Sequence, residues 1–396
     1  MLGNKNNYQF MDNKLGFNKM NKTLIAVAVS AATLAFGANA DMLSTAQAND
    51  SNLGGAQLYS KDGNTISLKG RIEARLKTTD GKANDATRAR LGLGGVSVIN
   101  DNLYGLGYVE TQYTADDQGN TDGAATQTIT IDTTPSTITV SNDTVTTRFA
   151  YAGVGGKFGQ VVYGKTQGSM SQVTDFTDIM WSFGGNTSMK LNASDRPSND
   201  VAYSGAFGDF SVKANYKFVD QNTDSTNTTS VTDNGEDGYS SSLVYNVGAT
   251  GIKLGAGYEN QNKSHKYTAA AGYTIGGLYV GGLYTDGDIN YASANGGNYN
   301  GSAGFSDVEQ YKAYELAASY TMGKTIFTTT YNKAKTDSQD VTNLIGVEAA
   351  YAFTSNFRTY LGYQFNLMDE GDTFGTGTVS KAGSSDNAML GMRYDF

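Results

Sequence analysis

Segments of alternating apolar and polar residues recur along this chain, and the connections between them are by turns very short and long. Alternation with a period of two places one set of side chains on each face of a β-strand. Ile66, Leu68, Gly70, Ile72, Ala74 and Leu76 fall on one face, while Ser67, Lys69, Arg71, Glu73, Arg75 and Lys77 fall on the other. The pattern returns at Phe210, Val212, Ala214, Tyr216 and Phe218, at Tyr314, Leu316, Ala318 and Tyr320, and at Ala388, Leu390, Met392, Tyr394 and Phe396. One such strand fits a soluble sandwich equally well, so the connections decide. Short ones fall at 100–102, 155–157, 207–209, 248–250, 276–277, 322–324 and 354–356, with long polar ones near 78–87, 115–143, 167–195, 220–238, 260–264, 286–308, 334–340 and 369–386. Seven short turns and eight long loops imply sixteen strands. Short turns on one side and long loops on the other is how a single-chain membrane barrel is organised. A bilayer admits β-structure only when it is closed on itself, because an open edge leaves backbone groups unpaired in hydrocarbon. The fold class is therefore all-β: a 16-stranded antiparallel transmembrane β-barrel, too wide for its own side chains to fill.

Composition agrees. Proline occurs only at Pro135 and Pro197, while the chain holds 49 Gly, 26 Tyr and 17 Phe, a mixture suited to long strands. Tyr104, Tyr151, Tyr163, Tyr258, Tyr284, Tyr320, Tyr351, Phe353 and Tyr363 lie near strand ends and are assigned to two aromatic girdles at the membrane interfaces. Tyr394 and the terminal Phe396 form a candidate assembly signal.

Residues 20–40 have the shape of a secretory signal: Lys22, an uncharged run from Leu24 to Phe36, and Ala38-Asn39-Ala40 before Asp41. The run is too short for a membrane-spanning helix, which takes roughly 20 residues. Residues 1–19 read as an upstream start or extension, and 41–396 as the barrel. Removing residues 1–40 takes away four lysines and one aspartate, which moves the net charge from −9 to −12. An acidic chain without a basic cluster is a poor partner for nucleic acid. With no cysteine in an exported chain, no disulfide framework holds it.

Catalytic chemistry finds little footing. The single histidine, His265, sits beside an expected loop end, and a Ser-His-Asp arrangement would depend on it. There is no Cys and no pair of His for a metal site. The glycines of Gly92-Leu-Gly94-Gly95 and Gly153-Val-Gly155-Gly156 do not lie between a strand and a helix, so they read as turn and packing glycines. The chain reads as no enzyme, with no cofactor.

The residues also resemble a known family. Tyr59-Ser-Lys-Asp-Gly-Asn64, Ala89-Arg90-Leu91-Gly92, Arg148-Phe-Ala-Tyr-Ala-Gly153, Tyr163-Gly-Lys165, Thr174-Asp-Phe-Thr-Asp-Ile-Met180, Asn234-Gly-Glu-Asp-Gly-Tyr239, Tyr363-Gln-Phe-Asn-Leu367 and Arg393-Tyr-Asp-Phe396 occur in the order and spacing of the general trimeric porins of Gram-negative outer membranes. The likeness is nearest to the OmpU type and runs nearly the whole of 41–396. It implies a passive diffusion channel for ions and small hydrophilic solutes, located in the outer membrane among lipid and lipopolysaccharide. It implies further that the second long loop reaches into a neighbouring subunit of a homotrimer, and that the third, about 166–195, folds into the barrel. That loop would turn inward at Phe183-Gly184-Gly185 and carry the acidic side of a constriction at Asp178, with Asp175 as a second carboxylate. The basic wall would hold Arg71, Arg90, Arg148 and Arg196, with Lys165 nearby. Periodicity independently turns Arg71 and Arg148 away from the apolar faces. The chain departs from enteric relatives at Ser182, where they carry another carboxylate. The acidic chain argues for cations and the arginines argue against, and the reading leans to weak cation selectivity. Trp181 on the constricting loop keeps open a saccharide-specific channel with a stacking track. An adhesin or receptor barrel is the other alternative, although no segment is long enough for a plug or passenger.

Overall fold

A computed structural model describes residues 37–115, 125–131, 134–140, 144–185, 187–223, 231–234, 236–291, 305 and 307–396. The expected extension 1–19 and most of the expected signal, 20–36, lie outside the described residues. Sixteen strands form the wall: β1 Asn64–Thr79, β2 Arg88–Asn100, β3 Leu103–Thr114, β4 Thr144–Gly156, β5 Gly159–Lys165, β6 Asp200–Phe207, β7 Phe210–Lys217, β8 Gly238–Asn246, β9 Ile252–Gln261, β10 Ser264–Ile275, β11 Leu278–Asn290, β12 Val308–Met322, β13 Thr325–Thr336, β14 Gln339–Ala352, β15 Phe357–Asn366 and β16 Asn387–Asp395. Each pairs antiparallel with the next. β16 closes on β1, from Arg71 opposite Asp395 to Thr79 opposite Asn387. Below that seam the strand Ala56–Lys61 takes over the edge of β1. Phe396 ends the chain at the join, exchanging backbone hydrogen bonds of 2.8 and 3.0 Å with Gly70. From β1 round to β16 the described wall is thereby closed on itself, which is the condition for β-structure in a bilayer. Among the described residues no helix is long and apolar enough to cross a membrane.

Alternation sorts the side chains as expected. Ile66, Ile72 and Leu76 of β1 are exposed on the outside, while Ser67 and Glu73 between them are buried on the lumen side. A Lys or Arg at mid-depth on the lipid face would cost about 2–4 kcal/mol, and β1 keeps its basic residues on the opposite parity. Ring pairs mark the rims: Tyr258–Tyr267 at 4.8 Å and Tyr284–Tyr314 at 5.0 Å near one end, Phe210–Tyr245 at 4.5 Å and Tyr351–Phe353 at 4.9 Å near the other.

Two expectations are corrected. Three of the eight long connections are tight turns on strands that run beyond the membrane: Asp80-Gly81, Asn262-Lys263 and Asp337-Ser338. Asp80, Asn262, Asp337 and Ser338 have φ between 45° and 65°, a conformation Asn and Asp tolerate, so a polar stretch that looks like a loop stays laddered to its end. The second correction concerns Tyr104 and Tyr151, which are buried on the lumen side rather than placed in a girdle. The reason is a segment packed inside the barrel.

That segment is the helix α1, Gly37–Asn49, with a 3-10 turn at Ser51–Leu53. Met42, Ala46 and Leu53 form one buried cluster with Tyr104, Leu106, Tyr108, Phe149 and Tyr151. Polar contacts fix it: Asn49 donates to the Tyr104 hydroxyl at 3.0 Å and to the Gly156 carbonyl at 3.1 Å, and Tyr151 donates to Asp50 at 2.5 Å. Lys69 of β1 donates to the Ser51 carbonyl at 3.2 Å. The helix runs through the expected cleavage point before Asp41.

Candidate functional site

The lumen-facing parity of β1 carries Lys69, Arg71, Glu73 and Arg75, and the strand register decides what each meets. Across β2, Glu73 lies opposite Arg88 and Arg71 opposite Arg90. Across β16, Glu73 lies opposite Arg393 and Arg71 opposite Asp395, and Arg393 is in turn opposite Arg358 of β15. One row of the wall therefore reads Arg358, Arg393, Glu73, Arg88, and the next reads Asp395, Arg71, Arg90, Gln112.

Carboxylates partly neutralise these rows. Glu73 is fully buried, binds Arg88 at 2.6 Å, lies 3.9 Å from Arg71, and accepts from the Tyr360 hydroxyl at 2.8 Å. Asp395 holds Arg393 at 2.5 Å and Arg358 at 3.3 Å. Arg90 donates to Gln112 at 2.7 Å, a neutral partner. Arg71 and Arg90 thus face each other across the ladder as like charges, a destabilising arrangement, and the buried Nε of Arg71 lacks a hydrogen-bond partner. The basic wall keeps an excess of positive charge at this pair.

Arg148 reaches the same wall as alternation led one to expect, but through a bulge and not through alternation. The ladder between β3 and β4 slips between Glu110 and Thr111, so that Glu110 meets Phe149 and Thr111 meets Thr147. Arg148 sits in this bulge, where an extra residue re-aims the side chain, and binds Glu110 at 2.6 Å. Phe149 and Tyr151 then take the lumen face against the α1 segment. Arg196 pairs with Asp195 at 2.8 Å and is close enough to Arg148 to act on it electrostatically. Lys165 is placed elsewhere: it pairs in register with the exposed Ala150 and shares the outward parity of Val161 and Tyr163.

Residues 166–185 and 187–199 fold into the lumen along the opposite wall. The chain enters through Thr166 N–H to Pro197 carbonyl at 3.0 Å and carries a short helix α2, Ser171–Thr174. Wall glycines admit it: a Cβ at Gly255 would meet the Phe176 ring at 3.0 Å. Three wall glutamates then clasp the loop backbone. Glu348 accepts from the N–H of Trp181 at 3.1 Å and of Ser182 at 2.6 Å. Glu315 accepts from the N–H of Thr187 at 2.8 Å and of Ser188 at 2.7 Å, and from the Thr177 hydroxyl. Glu259 accepts from Leu191 N–H at 2.8 Å and from the Ser194 hydroxyl, and is paired with the fully buried Lys266 at 3.1 Å. From the basic side, Arg75 donates to the Ser182 carbonyl at 2.8 Å, so the loop tip bridges the two walls.

The loop's own charges form a knot. Asp178 accepts from Gly185 N–H at 3.2 Å, which fixes the inward turn at Gly184-Gly185. Lys190 binds Asp195 at 3.2 Å. Burial alone would lower the Lys190 pKa, yet Asp195, Asp175 and Asp178 around it raise it above the ordinary lysine value. Burial would likewise raise Asp195, but Lys190 and Arg196 hold its carboxyl below the usual range. Trp181 is only 6% exposed, covered by the Arg358 guanidinium at 5.4 Å from its ring and packed with Met180, Phe183 and Tyr360. It presents no open face for a solute to stack on.

A barrel whose lumen is narrowed by an inward loop between charged walls can pass hydrated solutes without a conformational cycle. The sequence profile of the Gram-negative porin family matches residues 25–371. The chain belongs to that family. This porin is 42% identical over 381 residues to Outer membrane protein U of Vibrio parahaemolyticus, covering 95% of this chain and 100% of the relative. It is 41% identical over 385 residues to Outer membrane protein U of Vibrio cholerae, with the same coverage. Among solved structures, Salmonella typhi OmpF in complex with daunomycin aligns with a TM-score of 0.65 at 22% identity, covering 86% of this porin and 100% of that chain. The trimer form of Vibrio cholerae OmpT aligns with a TM-score of 0.57 at 18% identity, covering 84% and 99%. As a porin it is a general passive diffusion channel of the outer membrane, not an enzyme.

Sequence reasoning missed Glu73, Glu110 and Asp395, which balance the arginines, and Glu259, Glu315 and Glu348, which hold the loop. The signal was present. Glu315 stands between Tyr314 and Leu316, and Glu348 between Val347 and Ala349, and a lone carboxylate flanked by lipid-facing residues has to point inward. Replacing Glu315 with Ala is expected to leave Thr187 and Ser188 N–H unpaired and to cost about 3 kcal/mol of loop anchorage. Limited trypsin digestion reads this directly: the porin carrying E315A is cut at Lys190 under conditions where the parent is not.

Proposed function

We propose that ions and small hydrophilic solutes pass this porin through a constriction with a basic wall at Arg71, Arg90 and Arg148, extended by Arg196, and an acidic loop at Asp178 and Asp175. Opposed fixed charges in a narrow, low-dielectric passage set up a transverse field stronger than the same charges produce in bulk water. Solutes with a dipole align with it, while large or apolar ones lose hydration or do not fit. The observation that carries this reading is the Arg71–Arg90 pair, directly opposed in the ladder with no carboxylate placed between them. The buried position of Trp181 favours a general pore over a saccharide-specific one.

The working unit in this reading is a homotrimer, joined in part through the loop between β3 and β4, and exported by a signal at 20–40 that is cleaved before Asp41. Tyr394 and Phe396 serve as the assembly signal, in keeping with the outward Tyr394 ring and the place of Phe396 at the barrel seam. Outer-membrane lipid and lipopolysaccharide are its surroundings. Single-channel recording of the refolded porin in a planar bilayer, with and without maltooligosaccharides, tests the proposal. Ohmic steps in groups of three that sugar does not block are expected, and small steps closed by micromolar sugar would replace it with a specific channel.

A further inference from the structure

We propose that Met189, on the inward loop, is an oxidation site: a small hydrophilic oxidant of the peroxide class, passing through the lumen, converts its thioether to the sulfoxide and loosens the limb of the loop that carries it. The channel thereby responds to a solute that it admits.

Met189 lies between two anchored stretches of the loop. Glu315 holds the N–H of Thr187 and Ser188, and Glu259 holds the N–H of Leu191. The Met189 side chain is half-buried. It packs on an apolar patch formed by Leu191 of the loop with Ile289 of β11, Tyr311 and Ala313 of β12 and Ala334 of β13. Its sulfur accepts from the Tyr311 hydroxyl at 3.4 Å, and the same hydroxyl donates to the Thr187 carbonyl at 2.7 Å. One side of the thioether is therefore turned to the wall, and the rest of it to the passage. Position selects this methionine among its neighbours. Met170, Met180 and Met389, which pack around the same loop, are enclosed. Met392 is exposed on the outer wall, where lipid and not water covers it. Met322 is exposed at the short turn after β12, remote from the loop.

The chemistry is the transfer of one oxygen atom. The O–O bond of the peroxide breaks, an S–O bond forms at a sulfur lone pair, and sulfur gives up two electrons. The proton on the attacked oxygen moves to the departing one, which leaves as water. A thioether is a weak acceptor that packs as an apolar group, whereas a sulfoxide is polar. The new oxygen either turns to water, drawing the side chain off the apolar patch, or takes the Tyr311 hydroxyl away from the Thr187 carbonyl. Both weaken the hold of the wall on residues 187–191, and a limb released from the wall moves into the passage.

Hydrogen peroxide applied to the full-length refolded porin in a planar bilayer provides the test, with the oxidised positions mapped by peptide mass spectrometry. Brief closures should become about fivefold more frequent once Met189 carries oxygen, the factor for losing one net hydrogen bond. Trypsin should then cut at Lys190, where the untreated porin resists. Methionine sulfoxide reductases A and B together should restore both readings. M189L keeps the apolar contact without a sulfur and should not respond, while M189Q places a polar amide on the patch and should show the closures untreated. Oxygen on Met322 establishes that the dose was sufficient. At that dose an unmodified Met189 overturns the proposal, as does a Met189 sulfoxide with unchanged closures and unchanged trypsin resistance, or an M189L response equal to the parent's.

Discussion

Removing residues 41–53 is expected to raise single-channel conductance about twofold, because a helix with its side chains is a body roughly 10 Å across and this one lies inside the conducting space. The segment is held by burial and by specific contacts. Met42 and Ala46 are fully enclosed and Leu53 nearly so, against Tyr104, Tyr108 and Tyr151 on the wall. Burying a side chain such as Met or Leu contributes about 1.5–3 kcal/mol, so the segment does not leave the lumen readily on its own. The barrel ladder includes none of these residues, so strand pairing and closure survive the deletion. Lys69, freed from the Ser51 carbonyl and the Asn52 side chain, would add a mobile positive charge to the widened side. An Asp50→Ala variant separates loosening from removal: it breaks the contacts with Tyr151 and Gln160, and its recordings should flicker between the parent level and that of the deletion. Unchanged conductance in the deletion would place the narrowest section elsewhere, between the arginine wall and the inward loop.

Strand number, barrel class and the two-faced wall were legible because they depend on period-two alternation and on turn residues, which are local. Arg71 could be assigned to the lumen by counting from Ile66. Counting turned Arg148 inward as well, but on a false premise: its apolar neighbours Phe149 and Tyr151 themselves face the lumen, and the inward aim of Arg148 comes from a ladder slip between Glu110 and Thr111, a property of two strands. Trp181 showed the same limit. Sequence places it on the loop, but only the packed loop shows that Arg358, far along the chain, covers its ring. The α1 segment left a faint mark, Met42 and Ala46 one helical turn apart. Nothing local tells so short a stretch that its partner is the inside of a barrel closed by residues hundreds of positions later.

The second large effect belongs to the opposed arginines. An Arg71→Ala, Arg90→Ala double variant should raise the cation-to-anion permeability ratio about 25-fold, since each of the two unit charges at contact distance in water is worth about 1 kcal/mol and 1.4 kcal/mol is tenfold. The choice of pair matters. Arg88 and Arg148 are bound to Glu73 and Glu110 at 2.6 Å, and removing either strands a buried carboxylate, at about 3–5 kcal/mol. That penalty would confound selectivity with misfolding. Arg71 and Arg90 repel each other across the ladder, so their joint loss relieves strain while deleting two charges from the passage. Reversal potentials under a KCl gradient report the change, and heat-resistant migration on gels confirms that the barrel is intact. A Glu73→Gln variant supplies the opposite sign, since it frees Arg88 and adds to the positive excess. If the double variant and Glu73→Gln shift the reversal potential in the same direction, or neither moves it, the selective field does not originate in this wall, and the loop charges Asp175, Asp178 and Asp195 become its source.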